Sequence, residues 1–135
     1  MKEIFQILIF LCFSPIGVMA QHTLTIEIHG LNNNNGHVLL ELSNAKEAVV
    51  AGRTRNISNN RCIIVIDSLK PGMYSFKFFH DENKNEKLDT NWLGIPKEGF
   101  GFSNNPSMNF GPPSFEKTIF ELNESVLIKC KPKYF

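Results

Sequence analysis

Between His80 and Asp89 the chain reads His80-Asp81-Glu82-Asn83-Lys84-Asn85-Glu86-Lys87-Leu88-Asp89. Side-chain oxygens therefore stand at Asp81, Asn83, Asn85 and Asp89, positions 1, 3, 5 and 9 of a tight loop, with the Lys87 backbone carbonyl at position 7. That spacing is how a calcium loop is written. A hard divalent cation takes about six to eight oxygens at roughly 2.3–2.6 Å, and alternate residues of a coiled loop converge on one point while those between face water. Two positions depart from the pattern: the sixth, where glycine makes the sharp turn, is Glu86, and the twelfth, where a bidentate Glu completes the shell, is Trp92. A side chain at positive φ costs on the order of 1 kcal/mol. With only two carboxylates, the expected calcium site is weak and structural, with a dissociation constant of about 0.1–1 mM as in extracellular modules. Glu98 is the next carboxylate along the chain and can fold back as a further ligand. The same residues read equally as a solvated turn in which Asp and Asn side chains accept from nearby backbone N–H groups.

The remaining chemistry is thin. His80 stands at a strand end, a hydrogen-bonding position, while His29 and His37 flank one turn and would need a third ligand to hold zinc. The chain has no GxSxG elbow and no Gly-rich phosphate loop, and Ser58, Ser68, Ser103, Ser107 and Ser114 lie in polar or turn contexts. Asp81 and Asp89 could serve as an acid and base pair, but with asparagines between them coordination is the better use. No catalytic residue is assigned, and a small carboxylate-dependent hydrolase is the minority reading beside a binding or structural protein. Trp92, Phe100, Phe102 and Phe110 form a candidate binding set on a loop, since exposed aromatics stack on sugars or anchor a partner. The favoured alternative folds them inward to plug one end of the fold, because so many exposed rings would exceed the apolar patch a soluble monomer usually carries.

These residues need a scaffold, and the flanking patterns supply strands. Thr23 to His29 alternates, with Leu24, Ile26 and Ile28 on one face. Val38 to Leu42 follows a Gly- and Asn-rich turn and pairs with it as a hairpin or a closely related connection. Residues 43–60 loosen into a crossover holding at most a short strand or a turn of helix. Cys62 to Ile66 is β-branched, and in Leu69-Lys70-Pro71-Gly72 the proline fixes one φ and Gly72 takes the left-handed position. Met73 to His80 leads straight into the acidic loop. Residues 81–115 form a long loop whose aromatic load argues against disorder. Thr118 to Leu122 and Ser125 to Cys130 close the chain as a pair of strands joined through Asn123 and Glu124. The fold class is all-β, an antiparallel β-sandwich of about seven strands.

The N-terminus adds a compartment. Lys2, an apolar run from Ile4 to Phe13, Pro15 and Gly17, then Val18-Met19-Ala20 before Gln21 read as a signal peptide over residues 1–20. That segment is too short and interrupted to remain as a membrane span, and residues 21–135 make one domain, exported to the periplasm or secreted. Less Lys2 and Glu3, the 14 basic and 13 acidic side chains are nearly balanced, so bulk charge offers no footprint for nucleic acid. Cys12 leaves with the signal. Cys62 and Cys130 then form either one disulfide or a pair of buried small hydrophobes.

Leu69-Lys70-Pro71-Gly72-Met73-Tyr74, Phe79 to Asn85, Lys87 to Asn91, Leu93 to Asn105 and Phe110-Gly111-Pro112-Pro113 together closely resemble the uncharacterised bacterial family catalogued as domain of unknown function 2141. The resemblance implies a small exported protein with a prealbumin-like sandwich and no assigned activity. Glu86 stands where that family usually has glycine. The Leu69 to Tyr74 turn is also similar to transthyretin-like modules, but Lys131-Pro132-Lys133-Tyr134-Phe135 does not match the Tyr-Arg-Gly-Ser tail of the hydrolase branch. The combined expectation is an exported binding or structural module of the bacterial envelope, its partner an envelope protein or a glycan. The other reading from the residues is a carrier holding a small apolar ligand between the sheets.

Overall fold

The computed structural model describes residues 16–135, so the export signal expected over residues 1–20 falls mostly outside the described residues, and Cys12 wholly so. Eight strands and one helical turn follow in order: β1 (His22–His29), β2 (His37–Asn44), β3 (Val49–Asn56), β4 (Arg61–Leu69), β5 (Gly72–Asp81), β6 (Phe100–Phe102), α1 (Phe115–Thr118), β7 (Phe120–Leu122) and β8 (Val126–Cys130). They make two sheets. One has the order β4-β1-β8, and in the other β3-β2-β5 is extended beyond β5 by β6 and β7. The expected all-β sandwich is present, with one departure from antiparallel pairing: β8 runs parallel to β1. No helix among the described residues is long and apolar enough to cross a membrane.

Period-two alternation decides which faces meet. Leu24, Ile26 and Ile28 of β1, Cys62, Ile64 and Ile66 of β4, Val38, Leu40 and Leu42 of β2, and Tyr74, Phe76 and Phe78 of β5 all point inward and join in one core. Each large side chain buried there contributes about 1.5–3 kcal/mol. Consecutive strands mostly change sheet. The expected β1–β2 hairpin does not form, because β1 pairs with β4 and β8 while β2 pairs with β3 and β5. Its connection crosses between sheets, with Leu31 buried and tied to Asn60 O by its N–H at 3.1 Å. The closing pair likewise separates: β7 pairs with β5 and β8 with β1. In each case the strands separate so that both bury an apolar face against the opposite sheet, which a hairpin would have put in one sheet, and between β7 and β8 only Asn123, Glu124 and Ser125 make the crossing.

Residues 43–60 contain a full strand, β3, rather than a crossover. It lies at a sheet edge with most side chains exposed, so it lacks the alternating apolar face that marks a strand in sequence. The left-handed residue near the β4–β5 turn is Ser68, φ 60°, and not Gly72. The pairing of β1 with β4 shifts register between His22 and Leu24, opposite that residue's end of β4.

Cys62 and Cys130 are both buried free thiols. They are the two neighbours of one residue, Ile28, on opposite sides of the central strand β1. Two strand spacings of about 4.8 Å separate them, beyond the roughly 7 Å between Cα atoms that a disulfide can span. Burial pushes Cys62 up to about 11, with Arg55 pulling partly the other way, and Cys130 to about 12. Both are therefore inert thiols. At pH 8 neither should react with a disulfide reagent until denaturant is added, when both should titrate. Because folding raises these values above the ordinary 9.0, the thiols contribute no pH dependence below about 9, and stability should fall as pH rises from there toward 11–12, measurable by denaturant melts across that range.

Candidate functional site

Strand β5 carries inward residues at Tyr74, Phe76 and Phe78, and the same alternation delivers His80 into the core at 0 % exposure. Asp81, on the other face, is also 0 % exposed. Two adjacent buried polar side chains demand partners, since an unsatisfied buried group costs about 1–3 kcal/mol.

His80 finds them in segments far along the chain. Its Nε2 lies 2.7 Å from Asn35 O and its Nδ1 2.8 Å from the Tyr134 hydroxyl. A carbonyl only accepts, so Nε2 carries the proton and Tyr134 O–H donates to Nδ1. The phenol oxygen accepts in turn from Asn32 N–H at 3.1 Å. Burial raises the Tyr134 phenol above its ordinary value, partly offset by the Asn32 N–H and reinforced by the nearby Glu82 charge, which keeps the donor proton in place. Tyr134 fits because residue 99 is glycine: a Cβ there would lie 2.3 Å from the phenol ring.

Asp81 is held by three donors. Oδ2 accepts from Glu86 N–H at 2.8 Å and from His37 Nε2–H at 3.1 Å, and Oδ1 accepts from Asn85 N–H at 3.1 Å. His37 stands directly opposite Asp81 in the β2–β5 ladder. Gly36 precedes it at φ 67°, and a Cβ there would collide with Asp81 O at 1.8 Å. Glu98 folds back onto the loop, where it meets backbone donors. At 5 % exposure its Oε1 accepts from Glu82 N–H at 3.0 Å and its Oε2 from Asp89 N–H at 3.1 Å, clamping both ends of the loop.

Inside the clamp, Asn83 and Asn85 make Asx turns, accepting from Asn85 N–H at 3.2 Å and Lys87 N–H at 3.0 Å. Their amide nitrogens meet the Asp89 carboxylate at 2.6 Å and 2.9 Å. The side chains at positions 3, 5 and 9 thus converge on one another, although nitrogens rather than oxygens face Asp89. Glu86 takes φ 62° without being glycine, the left-handed conformation that the sixth position of a calcium loop requires. Among the described residues no three His, Cys, Asp or Glu side chains group so as to hold a metal ion. His29 and His37 lie in strands of different sheets and do not meet.

The aromatics depart from the favoured expectation. They do not plug the sandwich. Phe100 and Phe102 sit on β6 opposite Phe79 and Lys77 and share their outward face, while Gly101 between them points inward beneath the Phe78 ring, with no room for a side chain. The two rings meet edge to face at 6.3 Å, and Phe135 packs on Phe100 at 5.8 Å. Phe110 and Trp92 are almost fully exposed. Inward packing failed because the core was already filled by the strands, and β6 could join β5 only with its phenylalanines outward. A pocket of about 560 Å³ opens here, walled by Leu88, Ile95, Phe100, Phe102, Phe110 and Phe135, with Thr90 and Asn109 as its polar side chains. A second pocket of about 440 Å³ continues it across the sheet face and shares Leu88, Phe100 and Phe102. Of the candidate binding set, Phe100, Phe102 and Phe110 come together, and Trp92 stands outside the pocket lining. The sequence reading missed Tyr134, and it gave His37 a hairpin partner in place of Asp81.

The family model described as "Uncharacterized protein conserved in bacteria (DUF2141)" matches residues 26–129. No curated protein and no solved structure matches the chain.

The Glu98 clamp makes a direct prediction. Glu98→Ala removes the acceptor of two backbone donors and should destabilise the protein by about 2 kcal/mol. In hydrogen exchange the amides of Glu82 and Asp89 should lose protection ahead of the strand amides. Glu124→Ala, on an exposed turn, serves as the control and should leave both readings unchanged.

Proposed function

The chain belongs to the bacterial DUF2141 family, and within it we propose an exported binding module of the cell envelope whose outer-face pocket takes a small apolar ligand of the acyl-chain type. The observation that carries this reading is the pocket itself. At about 560 Å³ it has the size of a small-ligand site, eight of its lining residues carry large apolar side chains, Leu93 and Met108 among them, and only Thr90 and Asn109 offer polar side chains. A glycan would want more hydrogen-bonding groups than that lining supplies. Ligand held on the outer sheet face also replaces the earlier idea of a carrier enclosing it between the sheets, where the core side chains are already close to 0 % exposed. Binding is favoured over hydrolysis because Asp81 and Glu98 spend both carboxylate oxygens on backbone donors of their own loop. Titration with the apolar fluorophore phenylnaphthylamine should saturate at one site per chain. Phe110→Asp, an exposed change, should weaken that binding about tenfold without altering the melting temperature. A fluorophore that never saturates, or a variant that binds equally well, would overturn the reading.

A second reading is favoured by the backbone of Glu86. We infer that the loop from Asp81 to Asp89 takes calcium as a structural ion, because the left-handed sixth position is already formed and Asn83, Asn85 and Asp89 already converge. Turning each amide over would present oxygen to the ion and give up local N–H···O bonds, which keeps the affinity weak. Since Leu88 within the loop and Ile95 beyond it wall the pocket, the ion would also firm up the ligand site. At ten times its dissociation constant, calcium should add about 1.4 kcal/mol and raise the melting temperature by about 5 °C. Magnesium should not, and Asp89→Asn should abolish the effect. Equal melting with and without calcium up to ten millimolar or so would remove this reading.

A further inference from the structure

The apolar pocket has no charged side chain in its own lining, and the two pockets beside it differ in charge. Across the sheet it runs into the pocket of about 440 Å³, where Arg53 and Lys77 stand against Glu41 and Glu86. Those four charges cancel, and Lys77 Nζ is already paired with Glu41 Oε2 at 3.1 Å. On the other side it shares Phe102, Met108 and Asn109 with a pocket of about 300 Å³. The charged residues of that third pocket are Lys131 and Lys133, with no acidic residue among its walls. The whole trough is thus apolar along its middle, neutral at one end and positive at the other.

Lys133 brings its charge closest to the apolar wall. Its N–H and C=O bond Phe100 O and N–H at 2.8 Å and 3.1 Å, so its backbone is fixed to the pocket floor. Its Nζ donates to Met108 O at 2.8 Å and lies 4.5 Å from the centre of the Phe135 ring, and both residues line the apolar pocket. An ammonium has three donors, and one carbonyl and one ring face leave at least one of them unspent. Among the described residues neither Lys131 nor Lys133 is in an ion pair, and the main-chain carboxylate at Phe135 pairs with neither. The carboxylates of the adjoining loop are engaged elsewhere: Asp89 meets the Asn83 and Asn85 amides, and Glu98 the Glu82 and Asp89 N–H groups. A cation held against apolar rings without a counter-charge attracts an anion more strongly than one in open water.

We propose that the ligand is a free fatty acid, a single acyl chain ending in a carboxylate, with its head on Lys133 Nζ and its chain laid over Phe100 and Phe102 toward the neutral end. This names the ligand of the pocket described under the proposed function and rests on that reading. Asn109, which lines both the apolar and the positive pocket, supplies an amide N–H for the second carboxylate oxygen, and Lys131 adds to the positive field. The chain continues where the apolar and neutral pockets share Leu88, Phe100 and Phe102. Balanced charge at that far end suits a methyl terminus and gives a second anionic group no partner.

Displacement of phenylnaphthylamine from the purified protein by ligands of matched chain length tests the head separately from the pocket. Decanoate should compete about tenfold more tightly than decanol, and decylammonium more weakly than either. From decanoate to myristate, each added methylene should tighten binding about fourfold as the chain enters the second pocket. Lys133→Met keeps the stem and should bring decanoate down to the level of decanol, with decanol and the fluorophore unchanged, while Lys133→Arg should retain the preference. Decanoate competing no better than decanol, with the fluorophore still bound, would overturn the carboxylate assignment and leave the apolar pocket standing. A fluorophore that does not bind would remove both. An equal loss of all ligands in Lys133→Met would reduce the lysine to a structural part and overturn the proposal. So would binding to phosphatidylglycerol vesicles but not to the monomeric acid, since the recognised species would then be a membrane surface.

Discussion

Two consecutive polar side chains at the end of β5, His80 and Asp81, are completely buried, and that end of the sandwich is arranged to satisfy them. Neither could be left without partners once shut away from water. The Asn-rich crossing brings Asn32 and Asn35, β2 brings His37, the acidic loop brings its own N–H groups, and the C-terminal tail brings Tyr134. Gly36 and Gly99 are small because a carbonyl and a phenol ring occupy the space their side chains would fill. Segments from four parts of the chain are thus fixed relative to one another by the needs of two residues.

The pocket inherits its geometry from this arrangement. Its floor, Phe100 and Phe102, is a short strand laid on β5 immediately after Glu98 and Gly99. One wall runs from Leu88, at the end of the clamped loop, to Pro96, and Phe135 follows Tyr134 directly. The loop is also held across its base, where Lys97 N–H donates to Asp89 O at 2.8 Å. A polar, closely bonded cluster on one side therefore positions an apolar surface on the other. The rings need no enclosure to be oriented, and this is how they can stay open to solvent.

Where one face of a strand is buried, the sequence was readable. β1 stands out because its inward residues alternate with polar ones, and β2, β4 and β5 because they are short runs rich in apolar residues bounded by turn signals. β3 was hidden because Val49 and Val50 are exposed and Arg53 and Arg55 break any apolar period. β6 was hidden because its inward residue is Gly101, so Phe-Gly-Phe looks like more of the surrounding Gly- and Pro-rich segment. Pairing partners were not readable: alternation states which side of a strand is apolar, not which sheet it joins. The acidic loop was legible, being local, and Glu98 was visible as the nearest later carboxylate, although its spacing did not require the return to the Glu82 and Asp89 N–H groups. His37 and Tyr134 stand 44 and 54 residues from the groups they bond, and nothing in their own surroundings marks them.

The route of the final residues has a consequence for the order of folding. β1, the first strand, lies between β4 and the parallel β8, the last, and the tail then leaves that sheet, pairs Lys133 with Phe100 and inserts Tyr134 beneath His80. The central strand of one sheet thus waits for the end of the chain, and so does the buried histidine of the other. Both are contacts of long sequence separation, which cost the most loop-closure entropy and form late. Each sheet is therefore completed only when residues 126–134 return to it.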